Sequence, residues 1–231
     1  MKSEENVIVH VLLHMVYLYK LSTLHSIKEV FPMSKFTIRR ATEADAEALL
    51  AIYKPYITDT TITFEYDVPS VADFAGRIRE TAAAFPYLVC ERDGAVMGYA
   101  YAHRIRERAA YDWDAELSIY LAQGTHGHGV GTTVLACLID LLEMQGLRHL
   151  YSCVTMPNEK SIRMQRRLGF TDAGIWHDSG WKFDGWHDVA WLEKHVGSGK
   201  PQPVMPFPAM DEKNIQECLQ KYMDKLNQVE E

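Results

Sequence analysis

The sequence predicts an α/β fold, an α+β mixed sheet with helices on both of its faces. Three observations favour this class. Apolar residues at helical spacing alternate with short apolar runs that are typical of strands. Asp93-Gly94 and Asp184-Gly185 each separate two such runs, which indicates two antiparallel hairpins. A glycine-rich segment, 124–131, leads from a strand into a long amphipathic helix, an arrangement that suits phosphate binding.

The first half of the pattern contains a strand, two helices and a hairpin. Residues 36–40 are predicted as a strand, and Thr42 then caps a helix, with Asp45 in the capping-box position. A second helix covers 71–84 and ends at Pro86. The hairpin strands are predicted over 87–91 and 95–102.

The second half continues with a strand over 116–121, the glycine-rich segment and a helix that stops at Gly146. From 35 to 196 the predicted order is therefore β-α-α-β-β-β-α-β-α-β-β. The remaining elements are a strand over 149–155, a short helix within 158–170 and hairpin strands over 173–183 and 186–193.

The N-terminal stretch 1–32 does not continue this pattern. Its apolar run, 7–19, is shorter than the roughly 20 residues of a membrane-spanning helix and lacks the features of a signal peptide. We expect residues 1–32 to be an extension outside the domain of 33–196. If Met33 is the true start of the protein, this extension is non-native. A packing or oligomerising segment and a membrane contact are the alternatives.

The C-terminal end also differs from the middle of the chain. Residues 197–208 are rich in Gly and Pro, which predicts a linker. Residues 209–231 then predict one amphipathic helix, with Asp211 as a possible cap, that docks on the domain or dimerises.

Composition excludes several classes of protein. The chain has 47% hydrophobic and 24% charged residues, as an ordinary globular protein does. Its formal net charge of −7 argues against nucleic-acid binding, which needs a basic face. The four cysteines show neither CxxC nor zinc-ligand spacing, so we expect no disulfide framework and a reducing, cytoplasmic location.

The glycine-rich segment is Gln123-Gly-Thr-His-Gly-His-Gly-Val-Gly-Thr-Thr. Glycine lets the backbone approach a ligand closely, and the N–H groups of a helix N-terminus attract an anion. A Walker loop is excluded because no lysine follows Gly131, and the glycine spacing does not fit the dinucleotide-binding pattern. A tight turn without a ligand is the alternative.

Several separated motifs, in the right order, resemble the GNAT superfamily of N-acetyltransferases over residues 35–196. Besides the glycine segment they include Asn158, Ser161 and Leu168-Gly169-Phe170. Other motifs resemble the phosphinothricin and methionine sulfoximine N-acetyltransferase branch. These are Thr63-Phe64-Glu65, Tyr111-Asp112-Trp113, Met156-Pro157-Asn158 and Gly185-Trp186-His187-Asp188-Val189.

The resemblance implies the GNAT acyltransferase fold, with acetyl-CoA as co-substrate and no metal. It also implies that backbone N–H groups of the strand and of the glycine segment hold this cofactor. The implied cofactor-binding residues are Ile119, Tyr120, Leu121, His126, Gly127, His128, Gly129, Val130, Gly131, Thr132, Asn158 and Ser161.

The implied reaction is acetyl transfer to the α-amine of a small amino-acid-like acid, of the phosphinothricin, methionine sulfoximine or methionine sulfone type. An ammonium group must lose a proton before it attacks a thioester, and Glu116 matches the position of the general base. An exposed strand-end glutamate is the alternative for Glu116. The implied substrate-binding residues are Phe64, Arg106, Arg108 and Tyr111, where the arginines suit an acidic acceptor or belong to a solvated loop.

Two positions depart from the family pattern. His126 stands where the family usually has Gln or Arg, and Gln165 stands where many relatives have Tyr or His. Because Gln cannot act as a general acid, protonation of the departing CoA thiolate is an open question.

Two other functions remain as alternatives. The same fold accommodates a different acceptor, such as a polyamine, an aminoglycoside or a protein N-terminus, and it also accommodates a CoA-binding module without turnover. Relatives in this family are commonly homodimers, so we expect a homodimer with a small-molecule amine substrate and no nucleic-acid or membrane partner. His126 and His128 lack a third ligand nearby and predict no metal site.

Overall fold

The computed structural model describes residues 35–125 and 129–228. The predicted extension 1–32 lies outside the described residues. In the described part, a seven-stranded mixed sheet has the order β1-β2-β3-β4-β5-β7-β6. The strands are β1 (Phe36–Arg40), β2 (Tyr87–Arg92), β3 (Ala95–Arg104), β4 (Asp114–Leu121), β5 (His149–Thr155), β6 (Thr171–Lys182) and β7 (Gly185–His195).

Helices cover both faces of this sheet. Helices α1 (Ala46–Asp59) and α2 (Val71–Ala82) lie on one face. Helices α3 (Val130–Gln145), α4 (Glu159–Arg167) and α5 (Glu212–Gln228) lie on the other. The predicted mixed α/β architecture is therefore confirmed.

The alternation of side chains along each strand separates two cores. On β2, Leu88 and Cys90 belong to the core beneath α3, whereas Tyr87 and Val89 belong to the core beneath α1 and α2. The α3 side is mainly aliphatic. The α1/α2 side contains a group of tyrosines whose rings contact one another, namely Tyr53, Tyr56, Tyr87, Tyr99, Tyr101 and Tyr120.

Both predicted hairpins are present, joining β2 to β3 and β6 to β7 in antiparallel pairs. Asp93 and Gly94 have φ values of 52° and 82°, and Asp184 has 56°. Asp and Gly tolerate this left-handed region better than other residues, which explains the first turn. The second turn consists of Phe183, with φ 52°, and Asp184, because Gly185 already begins β7, so it lies one residue before the predicted Asp184-Gly185.

The C-terminal helix α5 packs on β1 and α3. Asp211 caps it, since its Oδ1 accepts a hydrogen bond from the Asn214 N–H at 3.0 Å. Asp140 Oδ2 on α3 accepts from Lys221 Nζ at 2.8 Å and from the Tyr222 hydroxyl at 2.7 Å. The apolar side chains that α5 buries against the domain are Ile215, Leu219, Tyr222 and Leu226.

The stretch predicted as a linker also contacts the domain. Phe207 is buried, and its N–H donates to the Ala84 carbonyl oxygen at 3.0 Å. No helix within 35–125 and 129–228 has the length and apolar composition needed to cross a bilayer.

Candidate active site

Strands β4 and β5 start as a parallel pair and then separate. Residues 114–116 pair with 149–151, whereas β4 continues to Leu121 and β5 to Thr155. We call the space between the diverging strands the β4–β5 cleft. Residues 117–120 and 152–155 line its two walls.

The backbone of β4 presents hydrogen-bonding groups to this cleft. The Ala122 N–H donates to the Met97 carbonyl oxygen, on the β3 side, at 2.8 Å, and the Trp113 carbonyl oxygen accepts from N–H groups at the start of β5. Because backbone groups of successive strand residues point to opposite sides, the N–H and C=O of Leu117 and Ile119 face the cleft. An extended ligand can pair with them as an added strand does.

The three cofactor contacts predicted on β4 differ in their surroundings. The Ile119 N–H faces the cleft, but the Tyr120 N–H points toward β3. The Leu121 N–H donates to the Tyr56 hydroxyl at 3.3 Å, and that hydroxyl donates to the Leu121 carbonyl oxygen at 2.7 Å. Of the three N–H groups, that of Ile119 is therefore the one in position to meet a ligand in the cleft.

Glu116 occupies the last paired position of β4, opposite Tyr151. Its side chain is 20% exposed, and burial raises the pKa of its carboxyl group, while Arg106 acts in the opposite direction. His103 Nε2 lies 3.8 Å from Glu116 Oε2, and burial lowers the pKa of this imidazole. A neutral His103 leaves the Glu116 carboxylate able to accept a proton, and a raised pKa makes it a stronger base.

The N-terminus of α3 lies on the same face of the sheet as α4. Gly129 precedes the helix with φ 72°, and its carbonyl oxygen accepts from the Thr133 N–H at 2.9 Å. The N–H groups of Val130, Gly131 and Thr132 come earlier in the first turn and have no partner within the helix. They point out of the helix end, where its dipole favours an anion.

A stripe of cations on α4 faces this helix end and was not predicted from the sequence. Lys160, Arg163 and Arg167 line the same groove as Gly129 and Thr132. The spacing of three and four residues places them on one face of a helix, and this spacing was the available signal. Thr125, 4% exposed, also lines the groove, and its hydroxyl has no partner. Groove and helix end together suit a pyrophosphate.

The other predicted cofactor contacts lie at the start of α4 or outside the described residues. Asn158 Oδ1 accepts from the Ser161 N–H at 3.2 Å and caps α4, and both residues line the β4–β5 cleft. The contacts that lie outside the described residues are His126, Gly127 and His128.

A second cleft lies on the face of the sheet to which the Glu116 side chain points. We call it the acceptor cleft. Arg106 and Tyr111 line it, together with Tyr151, Trp176 and Trp191. In its wall, the Trp176 and Trp191 ring centroids are 5.0 Å apart. One guanidinium and several aromatic rings therefore line this cleft, and one of the rings belongs to Tyr151, the strand partner of Glu116.

The remaining two predicted substrate residues are placed elsewhere. Phe64 lies in the loop between α1 and α2, where its ring stacks on His187 with centroids 6.4 Å apart. Arg108 is exposed and precedes the 3₁₀ turn Ala109–Tyr111, so it does not line the acceptor cleft. Within 35–125 and 129–228, no group of three or more His, Cys, Asp or Glu side chains could hold a metal ion.

Comparison with known proteins identifies the family. Residues 38–191 match the acetyltransferase (GNAT) domain. Phosphinothricin N-acetyltransferase of Streptomyces viridochromogenes is 33% identical over 73% of this chain and 93% of that enzyme. L-methionine sulfoximine/L-methionine sulfone acetyltransferase of Pseudomonas paraeruginosa is 30% identical over 72% of this chain and 98% of that enzyme.

A solved structure agrees with these sequence matches. The GNAT phosphinothricin acetyltransferase of Sinorhizobium meliloti, in complex with acetyl-CoA, superposes with a TM-score of 0.70. The two sequences are 33% identical, and the superposition covers 73% of this chain and 94% of the Sinorhizobium meliloti enzyme. The chain belongs to the GNAT family and is an acetyl-CoA-dependent N-acetyltransferase close to the phosphinothricin-type enzymes.

Proposed function

We propose that this enzyme acetylates the α-amine of a small amino-acid-like acid, of the phosphinothricin, methionine sulfoximine or methionine sulfone type, with Glu116 as the general base. The observation that carries the proposal is the position of Glu116, where β4 and β5 separate. This largely buried carboxylate directly precedes Leu117, which lines the β4–β5 cleft, and its strand partner Tyr151 lines the acceptor cleft together with Arg106. The named relatives that act on such substrates support the acceptor class.

The reaction follows from this arrangement. Glu116 takes a proton from the substrate ammonium, and the free amine attacks the carbonyl carbon of the thioester. The electron pair of the C=O bond moves to oxygen, and the Ile119 N–H is in position to stabilise that charge. Collapse of the intermediate breaks the C–S bond. The acetyl group moves directly to nitrogen, so no covalent enzyme intermediate is needed.

The acceptor cleft suits an acid. Arg106 lines it and interacts electrostatically with Glu116, so the guanidinium lies on the same side as the base. A planar guanidinium binds a carboxylate or phosphinate with two parallel hydrogen bonds. Tyr111 and Trp176 provide apolar surface for the rest of the molecule. A polyamine would place a like charge beside Arg106.

Release of CoA thiol from acetyl-CoA, measured across a panel of amino acids and polyamines, tests the acceptor. Glu116→Gln should lower kcat/KM by about 100- to 10,000-fold at neutral pH and by less at alkaline pH, where more of the substrate amine is already free. Because burial raises the pKa of Glu116, the wild-type acidic limb should lie above the pH range of an exposed glutamate. Glu47→Gln, on the exposed face of α1, is the matched control.

Turnover with no acid in the panel would contradict the acceptor class, and an unchanged pH profile in Glu116→Gln would remove this residue from the base role.

We further propose that the enzyme is a homodimer. Support comes from large apolar side chains left exposed on the β6–β7 hairpin, which include Trp181, Phe183 and Trp186.

A further inference from the structure

A polar pair is buried in the wall of the β4–β5 cleft. Ser152 on β5 is 3% exposed and Gln165 on α4 is 2% exposed. Gln165 Nε2 donates to Ser152 Oγ at 2.8 Å, and both residues line the cleft. Burial of polar groups destabilises a protein unless their hydrogen bonds are made. The pair makes one mutual hydrogen bond and keeps hydrogen-bonding capacity beside the cleft.

Counting donors and acceptors shows what the pair offers. The amide has two N–H hydrogens and the hydroxyl has one, and the mutual bond uses one of the three. Gln165 Oε1 has no partner. If the amide were rotated by 180°, the hydroxyl would donate to Oε1 and the N–H hydrogens would remain unused. With Nε2 as the donor to Ser152, the hydroxyl keeps its own proton spare beside the cleft, whereas in the rotated orientation the spare donors belong to Gln165.

The pair lies on the opposite side of the sheet from the base. Tyr151 is the last residue of β5 that pairs with β4, so Ser152 is the first residue of β5 in the cleft. Alternation places Glu116 and Tyr151 on the face of the acceptor cleft, and Ser152 on the face of α3 and α4. The anion-binding end of α3 is on this second face. A thioester that enters the cleft from this face meets Ser152 before it reaches the face that carries Glu116.

We propose that Ser152, supported by Gln165, is a catalytic hydrogen-bond donor to the sulfur of the leaving thiolate. The proposal rests on the proposed function, because it requires a thioester in the cleft. When the C–S bond breaks, its electron pair goes to sulfur, and the hydrogen bond stabilises the developing charge. The serine keeps its proton. One proton of the attacking nitrogen goes to Glu116, and its second proton neutralises the thiolate through solvent.

The test uses the ionisation of CoA bound to the whole enzyme. Ultraviolet absorbance of the thiolate gives the pKa of the bound thiol without any acceptor. We expect this pKa to lie below that of free CoA in the wild type and to return toward it in Ser152→Ala and Gln165→Leu. Ser152→Thr, which keeps the hydroxyl, should restore the lower value. In turnover, Ser152→Ala should reduce kcat by about 10- to 100-fold with little change in the KM of the acceptor.

Gln145→Leu is the matched control. Gln145 on α3 is also 2% exposed and has an unpartnered Oε1, but it does not line the cleft. Its replacement should leave the pKa of bound CoA unchanged, and thermal melting checks the folding of each variant. Binding and turnover with an unshifted thiol pKa in the wild type would overturn the proposal. Absence of CoA binding would instead overturn the proposed function, and this proposal with it.

Discussion

Gly180 shows how one residue connects the β6–β7 hairpin to the substrate side of the enzyme. A Cβ atom at this position would overlap the ring of Phe64. Lys182, two residues later, is 2% exposed and donates from Nζ to the Thr63 carbonyl oxygen at 2.7 Å. The hairpin therefore fixes the loop that carries Phe64. Burial lowers the pKa of Lys182, and nearby Glu65 opposes this change.

Gly180→Ala should displace the Phe64 ring, because the added methyl group and the ring cannot occupy the same space. We expect the free energy of unfolding to fall by about 1–3 kcal/mol, as for overpacked cores. Phe64 does not line the acceptor cleft, but the family resemblance implies that it contacts the acceptor; if it does, the KM for the acceptor rises while that for acetyl-CoA stays the same. Steady-state kinetics and urea unfolding measure both effects.

Gly185→Ala is the control in the same hairpin, since the nearest side-chain atom to its new Cβ is 3.8 Å away. It should change neither quantity appreciably. Equal acceptor KM values for wild type and Gly180→Ala would show that Phe64 does not form part of the acceptor site.

At the scale of elements, the sequence predicts features that depend on residues close together in the chain. It does not predict how strands that are remote in the chain pair with one another. Thr42 and Asp45 were predicted as a capping box, and the Asp45 carboxylate accepts from the Thr42 N–H at 2.7 Å. Such bonds involve residues close in sequence, so their signals are visible in the chain. The separation of β4 from β5 after Glu116 depends on strands that are remote in sequence, and no local pattern encodes it.

The candidate site shows the same division. The sequence placed the glycine segment at the start of α3 and Glu116 on β4, because both follow from a strand, a loop and a helix in succession. It did not separate Arg106, which lines the acceptor cleft, from Arg108, which does not. Two arginines in one irregular loop have no periodicity from which their directions could be derived.

Arg39 links three elements, and it predicts a pH effect on stability. Its guanidinium on β1 donates to both carboxylate oxygens of Asp45, before α1, at 2.7 and 2.9 Å, and to Glu91 on β2. The hydrogen bond from Arg39 is the main cause that lowers the pKa of Asp45. A lowered folded-state pKa contributes stability that is complete above the unfolded value near 4 and is lost as the pH falls through the folded value.

Asp45→Asn should therefore destabilise the protein by about 1–2 kcal/mol at pH 7, since Arg39 is partly exposed and water screens the pair. The difference from wild type should shrink as the pH falls below about 4. Urea unfolding at several pH values measures this. Glu43→Gln is the control, because its ion pair with Arg79 is exposed and should contribute less than about 0.5 kcal/mol. A difference that is constant with pH would contradict the assignment.

At the scale of the whole molecule, the two ends of the sheet differ. At β1, Asn227 Oδ1 on α5 accepts a hydrogen bond from the Phe36 N–H at 2.8 Å, and Asn227 Nδ2 donates one to the Phe36 carbonyl oxygen. The helix therefore covers this edge of the sheet. At the other end, β6 is an edge strand with irregular pairing to β7 and a largely exposed face. Bulges of this kind disfavour strand addition, so a partner would contact side chains rather than the strand edge.

The proposed homodimer is tested at this exposed hairpin. Trp186 is 59% exposed, and its ring contacts that of Trp181, with centroids 5.3 Å apart. Burial of such aromatic side chains dominates the energy of many interfaces, so Trp186→Glu should convert a dimer into a folded monomer. Light scattering after size exclusion, over a range of protein concentrations, measures the mass. Met144→Glu, on α3 and 43% exposed, is the control and should remain dimeric. A monomeric wild type would contradict the proposed homodimer. A dimer that persists in Trp186→Glu would place the interface elsewhere, because a glutamate carboxylate cannot be buried unpaired in an apolar contact without a large loss of hydration energy.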